Sequence, residues 1–470
     1  MKDTKAIDLF QKASVPQAVL KNALPAIAAM LMVLVYNLAD TFFIGQTHNA
    51  LQVAAISLAM PVFLVFTGVG TLFGMGGTSV ISRALGENRL DYARKVCSFC
   101  MWSCVGVGVI LAALFLVFID EILSLVGASP DTWEYAKTYL IIVSISGPFA
   151  LISTCYSNVI RAEGQATQAM MGQVLGNLLN IILDPLLILG TGWNVAGAAV
   201  ATAIGNAAGA IYYICYFLME KSSLSISFRN FTMKDKVCTS VLMIGIPAAL
   251  GSVLMSVSQI LVNSQMTQYG DMAIAGMGVA MKIVMITSMI CMGLGQGVQP
   301  LLGYCTGARL WSRFRSILRF SLVFSLILAA VLTGLCYLFL DPIIRAFLSD
   351  PDAFSYAVQF ARILLSTGSL IGILYVLINT LQAMGAATPA LVINLSRQGI
   401  IFIPVLFLLK AMLGLVGLVW AQPVADLLSL VLAWILYVKV SRKMMHLDKE
   451  METNDEIESS IKSSADLAAN

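Results

Sequence analysis

Residues 161–190 read RAEGQATQAMMGQVLGNLLNIILDPLLILG, and the fold turns on how this stretch is read. After a charged, glycine-bearing turn, residues 166–190 hold a single ionisable side chain, Asp184. A helix over them is long enough to cross the ~30 Å hydrocarbon core of a bilayer. Gln173, Asn177, Asn180 and Asp184 are spaced by four, three and four, which lines up a polar stripe on one face of an apolar helix. Against lipid that stripe would be strongly unfavourable, so it should face a cavity. Pro185 follows directly and has no N–H, so the carbonyl of Ile181 loses its helical partner beside Asn180 and Asp184.

Outward from this helix, polar breaks divide the 470 residues into twelve apolar spans. They cover residues 20–45, 51–82, 92–119, 135–157, 165–190, 196–219, 238–267, 272–304, 314–340, 355–381, 388–410 and 414–440. Only 11% of the chain is charged and 59% is hydrophobic, against about 25% charged in a soluble domain. Such a surface must be solvated by the lipid bilayer. The net charge of +3 gives no reason to expect a nucleic-acid partner.

The chain repeats itself. A shift of 221 carries Gly74 onto Gly295, Gly76 onto Gly297, Gly86 onto Gly307, Arg94 onto Arg315, Asn158 onto Asn379, Ala162 onto Ala383, Gly164 onto Gly385 and Thr167 onto Thr388. Pro25 meets Pro247 at 222. Equivalent points are an even number of spans apart, so the halves share one orientation and should be related by an axis along the membrane normal. The fold class expected is all-α and integral to the membrane, twelve helices in two pseudo-symmetric six-helix bundles. The divisions are an N-terminal segment at 1–19, bundles at 20–219 and 237–440, a linker at 220–236 and a disordered acidic tail at 441–470.

Loop charge orients the chain. Arg83, Arg89, Arg94 and Lys95 follow span 2; Lys221, Arg229, Lys234 and Lys236 follow span 6; Arg309, Arg313 and Arg315 follow span 8. Alternate breaks are acidic or nearly uncharged, so both termini should be cytoplasmic. The first 20 residues lack the apolar core of a cleavable signal peptide. Cys97 and Cys100 form a lone C-x-x-C and read as packing residues. Only His48 and His446 are histidines, which leaves no cofactor or histidine metal site to expect. The glycine clusters at 68–77 and 293–297 lack a following G-K-[ST] and read as close helix packing. Without an ATP-binding motif, energy should come from an ion or substrate gradient.

Ionisable residues at membrane depth mark ion and substrate pathways. Span 1 sets Tyr36, Asn37 and Asp40 on one side of its helix; span 6 adds Thr202 and Asn206, four apart. No lysine or arginine in spans 1, 5 or 6 is placed to neutralise Asp40 and Asp184. Carried into the second half, Asp184 lands on Val405 and Asp40 on Val262, so the carboxylate pair belongs to the first half alone. Two carboxylates in one low-dielectric cavity cannot both ionise cheaply, so a shared proton is the favoured coupling ion. Sodium is the alternative, with oxygen ligands from Asp40, Asn180, Asp184, Thr202 and the Ile181 carbonyl. The second half offers Lys282, Arg397 and Asp426 as candidates, with Asp426 able to pair with either cation.

Four stretches resemble one known family: NALPAIAAMLMVLVYNLADTFFIGQ (22–46), GMGGTSVISRALGENR (74–89), RAEGQATQAMMGQVLGNLLNIILDPLLILG (161–190) and GQGVQPLLGYCTGAR (295–309). Their order and spacing are similar to those of multidrug and toxic compound extrusion (MATE) transporters of the DinF-like bacterial branch, over about residues 15–440. The resemblance implies a V-shaped pair of bundles in a bacterial plasma (inner) membrane that opens alternately to either side. It implies antiport of organic cation drugs and dyes against protons or sodium, and no enzymatic activity. It also maps a cation-sensitive cluster onto Tyr36, Asp40, Tyr139, Asn180, Asp184 and Thr202. A monomer is expected. The NorM-like branch carries acidic residues on spans 7 and 10, which here have none. Major facilitators have the same span count, but their loop after span 2 usually includes an Asp-Arg pair that SRALGENR lacks. A lipid or polysaccharide flippase would commonly need more basic residues along the cleft. A membrane enzyme would need a metal cluster or nucleophile–base arrangement. A channel would not confine carboxylates to one half.

Overall fold

The computed structural model describes residues 9–47, 49–219, 222–348 and 350–468; His48, Lys221 and residues 1–8 lie outside them. Among the described residues there is no strand, and helices follow one another with short turns. The first six spans are Val15–Gly45, Ala50–Gly86, Leu90–Val117, Pro130–Ala162, Ala166–Gly190 and Asn194–Leu218. Then come Val237–Met266, Asp271–Gly307, Trp311–Leu338 and a tenth span made of Pro351–Leu365 and Gly368–Ala383, bent by 47°. The last apolar helix, Ala387–His446, is 60 residues long, roughly three times the length that a bilayer needs. It is broken at Gly414, whose φ of 61° and ψ of −133° are not helical. A side chain on Gly417 would collide with the carbonyl of Leu409, so the chain reverses there and residues 387–413 and 415–446 are spans 11 and 12.

Helix boundaries obey the sequence repeat. At a shift of 221, Ala50–Gly86 falls on Asp271–Gly307, Leu90–Val117 on Trp311–Leu338 and Pro130–Ala162 on Pro351–Ala383. Even the short helices Ile119–Leu125 and Leu340–Phe347 begin 221 apart. The local causes repeat too. Pro130 and Pro351 open their spans behind the capping side chains of Ser129 and Asp350. Gly164 and Gly385 take φ of +80° and +75° in the turns that follow, a conformation that costs other residues a Cβ clash.

Span 1 packs on span 8 and span 2 on span 7, so the two halves join through four central helices. The joining contacts cluster at the end that bears the basic loops. There Arg161 Nη1 donates to Gln296 Oε1 at 2.7 Å, Ser79 Oγ donates to the carbonyl of Gln382, and Arg83 packs beneath Gly385. The linker is strapped to span 3: Arg94, Ser98 and Trp102 donate to the carbonyls of Ser223, Ser227 and Ile226 at 2.9, 2.7 and 3.1 Å. Outward-facing apolar side chains such as Ile110 and Ile327 are 60% and 57% exposed, which only lipid would solvate cheaply.

Past span 12 the helix runs on through Ala468, with no Gly or Pro after Pro423 to stop it. Span 1 begins at Val15, with Pro16 in its first turn where a missing N–H costs nothing.

Candidate functional site

Spans 1, 5 and 6 pack together in the first half. Spans 5 and 6 approach most closely where Gly176 meets Gly205. A Cβ on Gly176 would stand 2.6 Å from the Gly205 carbonyl oxygen, and one on Gly205 would stand 2.7 Å from that of Gly176. This backbone-to-backbone fit brings Thr202, one turn from Gly205, against Asn180. Thr202 N–H is a donor, so the Asn180 amide must turn its oxygen toward it. In that orientation Asn180 Oδ1 accepts from Thr202 N at 3.1 Å and from Thr202 Oγ1 at 3.2 Å, while Asn180 Nδ2 donates to Asp184 Oδ2 at 3.0 Å.

Asp184 and Asn180 are buried, and Asp184 Oδ1 has no hydrogen-bond partner among the described residues. Asp40, half-buried on span 1, acts electrostatically on Asp184, and both act on Tyr36 and on the buried Tyr139 of span 4. Among the described residues neither carboxylate forms an ion pair. Asp40 stands five residues from the end of span 1 at Gly45, so the cluster lies roughly 8 Å in from that end, opposite the basic loops. Just past Asp184 the helix widens into a π-turn at Pro185–Gly190, where the missing proline N–H shifts the hydrogen-bond register.

The rest of the polar stripe continues down span 5. Gln173 and Asn177 are half-buried, and Gln173 Oε1 and Asn177 Nδ2 have no hydrogen-bond partner among the described residues. Asn37 is half-buried on span 1, where its carbonyl accepts from Thr41 Oγ1 at 2.8 Å, and Asn206 is half-buried on span 6. The structure thus brings Tyr36, Asp40, Tyr139, Asn180, Asp184 and Thr202 together.

In the second half the choice of partner is resolved: Arg397 Nε lies 2.8 Å from Asp426 Oδ1, and both residues are buried. Lys282 is not the partner of Asp426; its ammonium sits 5.6 Å from the ring of Phe347. Arg397 lies on a second π-turn, Ser396–Ile400, which aims its guanidinium across the ring of Tyr375 at 5.0 Å. Among the described residues, no group of three or more His, Cys, Asp or Glu could hold a metal ion. Cys97 and Cys100 are buried free thiols.

Sequence reasoning treated Arg161 and Glu163 as loop residues. Both are buried: Arg161 bridges the halves, and Glu163 accepts hydrogen bonds from Tyr216 and Ser222 at 2.9 and 2.7 Å. Two ionisable residues beside a short glycine turn were the available signal.

Two parallel six-helix halves, joined at one end and holding unpaired carboxylates at membrane depth, define a multi-pass membrane transporter. The MatE family model matches the chain twice, over residues 25–186 and 247–429, with starts 222 apart as Pro25 and Pro247 are. The chain belongs to the MATE family of transporters and is not an enzyme. It is 32% identical to the multidrug export protein MepA of Staphylococcus haemolyticus over 449 residues, covering 96% of this chain and 98% of that protein. It is likewise 32% identical to MepA of Staphylococcus aureus strain MSSA476 over 452 residues, covering 95% and 98%. Its fold matches an outward-facing multidrug resistance MATE family transporter with a TM-score of 0.88, at 21% identity, over 95% of this chain and 99% of that one.

Proposed function

We propose that this transporter exports amphipathic, mainly cationic organic compounds from a bacterial cell, in exchange for protons, by alternating access. The observation that carries this reading is the placement of Asp40 and the buried Asp184 on the packed spans 1 and 5, with neither in an ion pair among the described residues. Carboxylates so placed attract either a proton or an organic cation, and binding of one disfavours the other. If each ligand prefers a different arrangement of spans 1 and 5, bent at Pro185, exchange follows. The names of the MepA relatives support drug export. Closure of the halves at the basic-loop end, with the carboxylates toward the other end, supports a state open to the outside.

Asn180 favours the proton over sodium. Its amide oxygen is already taken by Thr202 and its nitrogen faces Asp184, so it brings no free oxygen to a hard cation. Sodium would then rely on Asp40, Asp184, Thr202 Oγ1 and the Ile181 carbonyl, one donor fewer than the sequence offered. The test is ethidium accumulation in cells that express the protein. Lower accumulation than in vector controls is expected, and dissipating the proton gradient should abolish the difference. Equal accumulation at verified expression would overturn drug export.

A further inference from the structure

Span 8 carries methionine at 277, 281, 285, 289 and 292, a spacing of four, four, four and three that sets all five on one helix face. Together with Met255 they line a cavity of about 410 Å³ between spans of the second half. That volume lies within the ~300–1,000 Å³ of sites for drug-sized molecules. A wall of thioethers is polarizable and conformationally adaptable, suited to apolar bodies of varied shape.

The charges around this cavity are arranged opposite to those of the first half. Asp426 is the carboxylate of the lining and is spent on Arg397 at 2.8 Å, with Gln422 Nε2 donating to the same oxygen at 3.0 Å. The guanidinium is further occupied by the ring of Tyr375. Lys282 also lines the cavity, is exposed, and forms no ion pair among the described residues. A cationic ligand here would meet an ammonium and no unpaired carboxylate; an anionic one would meet the Lys282 ammonium, which rests against the Phe347 ring at 5.6 Å but has no counter-ion among the described residues.

We propose that the second half holds a separate binding site for lipophilic organic anions, the apolar body lying on the span 8 methionines and the acid group on Lys282. This site takes no part in the coupling scheme above, so it extends the range of ligands to aromatic carboxylates and sulfonates. The charge on Lys282 also makes the site selective: a neutral aromatic of the same shape gains only the methionine wall.

The experiment is equilibrium binding of 8-anilinonaphthalene-1-sulfonate to the full chain in nanodiscs, with protein-free nanodiscs subtracted. Saturable binding is expected, weakened at least fivefold by Lys282→Gln and restored by Lys282→Arg. Replacing Met281 and Met285 together by Ala should weaken it as well, and excess ethidium should not displace it. Because Lys282 is exposed, Lys282→Gln should fold, and a matched melting temperature checks this. Unchanged affinity in Lys282→Gln, or no saturable binding above empty nanodiscs, would overturn the site. Displacement by ethidium would overturn its separateness, whereas loss of ethidium export alone bears on the first half only.

Discussion

Asn180 Nδ2 donates to Asp184 Oδ2 at 3.0 Å, and the amide oxygen of the same side chain is held by Thr202. One amide therefore ties span 5 to span 6 and fixes one carboxylate oxygen, while the other has no hydrogen-bond partner among the described residues. Thr202→Val deletes the hydroxyl donor at nearly constant volume and keeps the backbone N–H. A buried hydrogen bond of this kind contributes about 1 kcal/mol, so the protein should still fold. We expect coupled ethidium transport to fall severalfold as Asn180 loses its fixed orientation. Rates equal to wild type in proteoliposomes would show that the Thr202 hydroxyl does not position the site.

The Gly176–Gly205 contact makes a stability prediction with an internal control. Gly205→Ala places a methyl group 2.7 Å from a backbone carbonyl that cannot rotate away, so it should cost about 1–3 kcal/mol. Gly106 on span 3 faces open space, and Gly106→Ala should be neutral or gain up to about 1 kcal/mol of helix propensity. Melting temperatures of the two variants in detergent should differ in that order; the reverse order would refute the close packing of spans 5 and 6.

Arg397 and Asp426 form a buried pair. Removing one partner leaves a buried charge, so Arg397→Met or Asp426→Leu alone should cost about 3–5 kcal/mol. Together they should cost less than either alone, because no charge is stranded. Denaturant unfolding in detergent reads this directly, and simple additivity of the two losses would exclude the pair.

Topology follows from loop charge and is open to cysteine labelling. In a background lacking the exposed Cys215, Leu125→Cys and Met412→Cys should react with an impermeant reagent added outside intact cells. Arg89→Cys and Arg229→Cys should react only after lysis. Labelling of residue 89 or 229 from outside would invert the orientation.

How much of this was legible beforehand follows from the range of the forces involved. The 221-residue repeat and the polar stripe of span 5 are local patterns, and helix boundaries such as Pro130 and Pro351 follow from local capping. The partner of Asp426 was not legible, because Lys282 and Arg397 were equally plausible until depth and the Ser396–Ile400 π-turn fixed which cation could reach it. Arg161 and Glu163 looked like loop charges, since Gln296, which Arg161 meets, lies 135 positions away in sequence. The span 8 methionines were visible, but a stripe on an apolar helix is as compatible with lipid contact as with a cavity wall. The run of the last helix on to Ala468 accords with the lack of Gly and Pro after Pro423, a signal that acidic composition alone does not carry.

The central claim is that the first-half carboxylates couple drug movement to an ion, and it is tested most directly in proteoliposomes. Ethidium transport would be driven by an imposed pH gradient in sodium-free buffer, with wild type, Asp40→Asn and Asp184→Asn side by side. Each amide nearly preserves volume but carries no titratable proton, so both variants should insert and fold. Wild type should transport and shift the vesicle pH as it does so, while each variant should lose at least ten-fold in gradient-driven rate. Full coupled transport by both single variants would contradict the account.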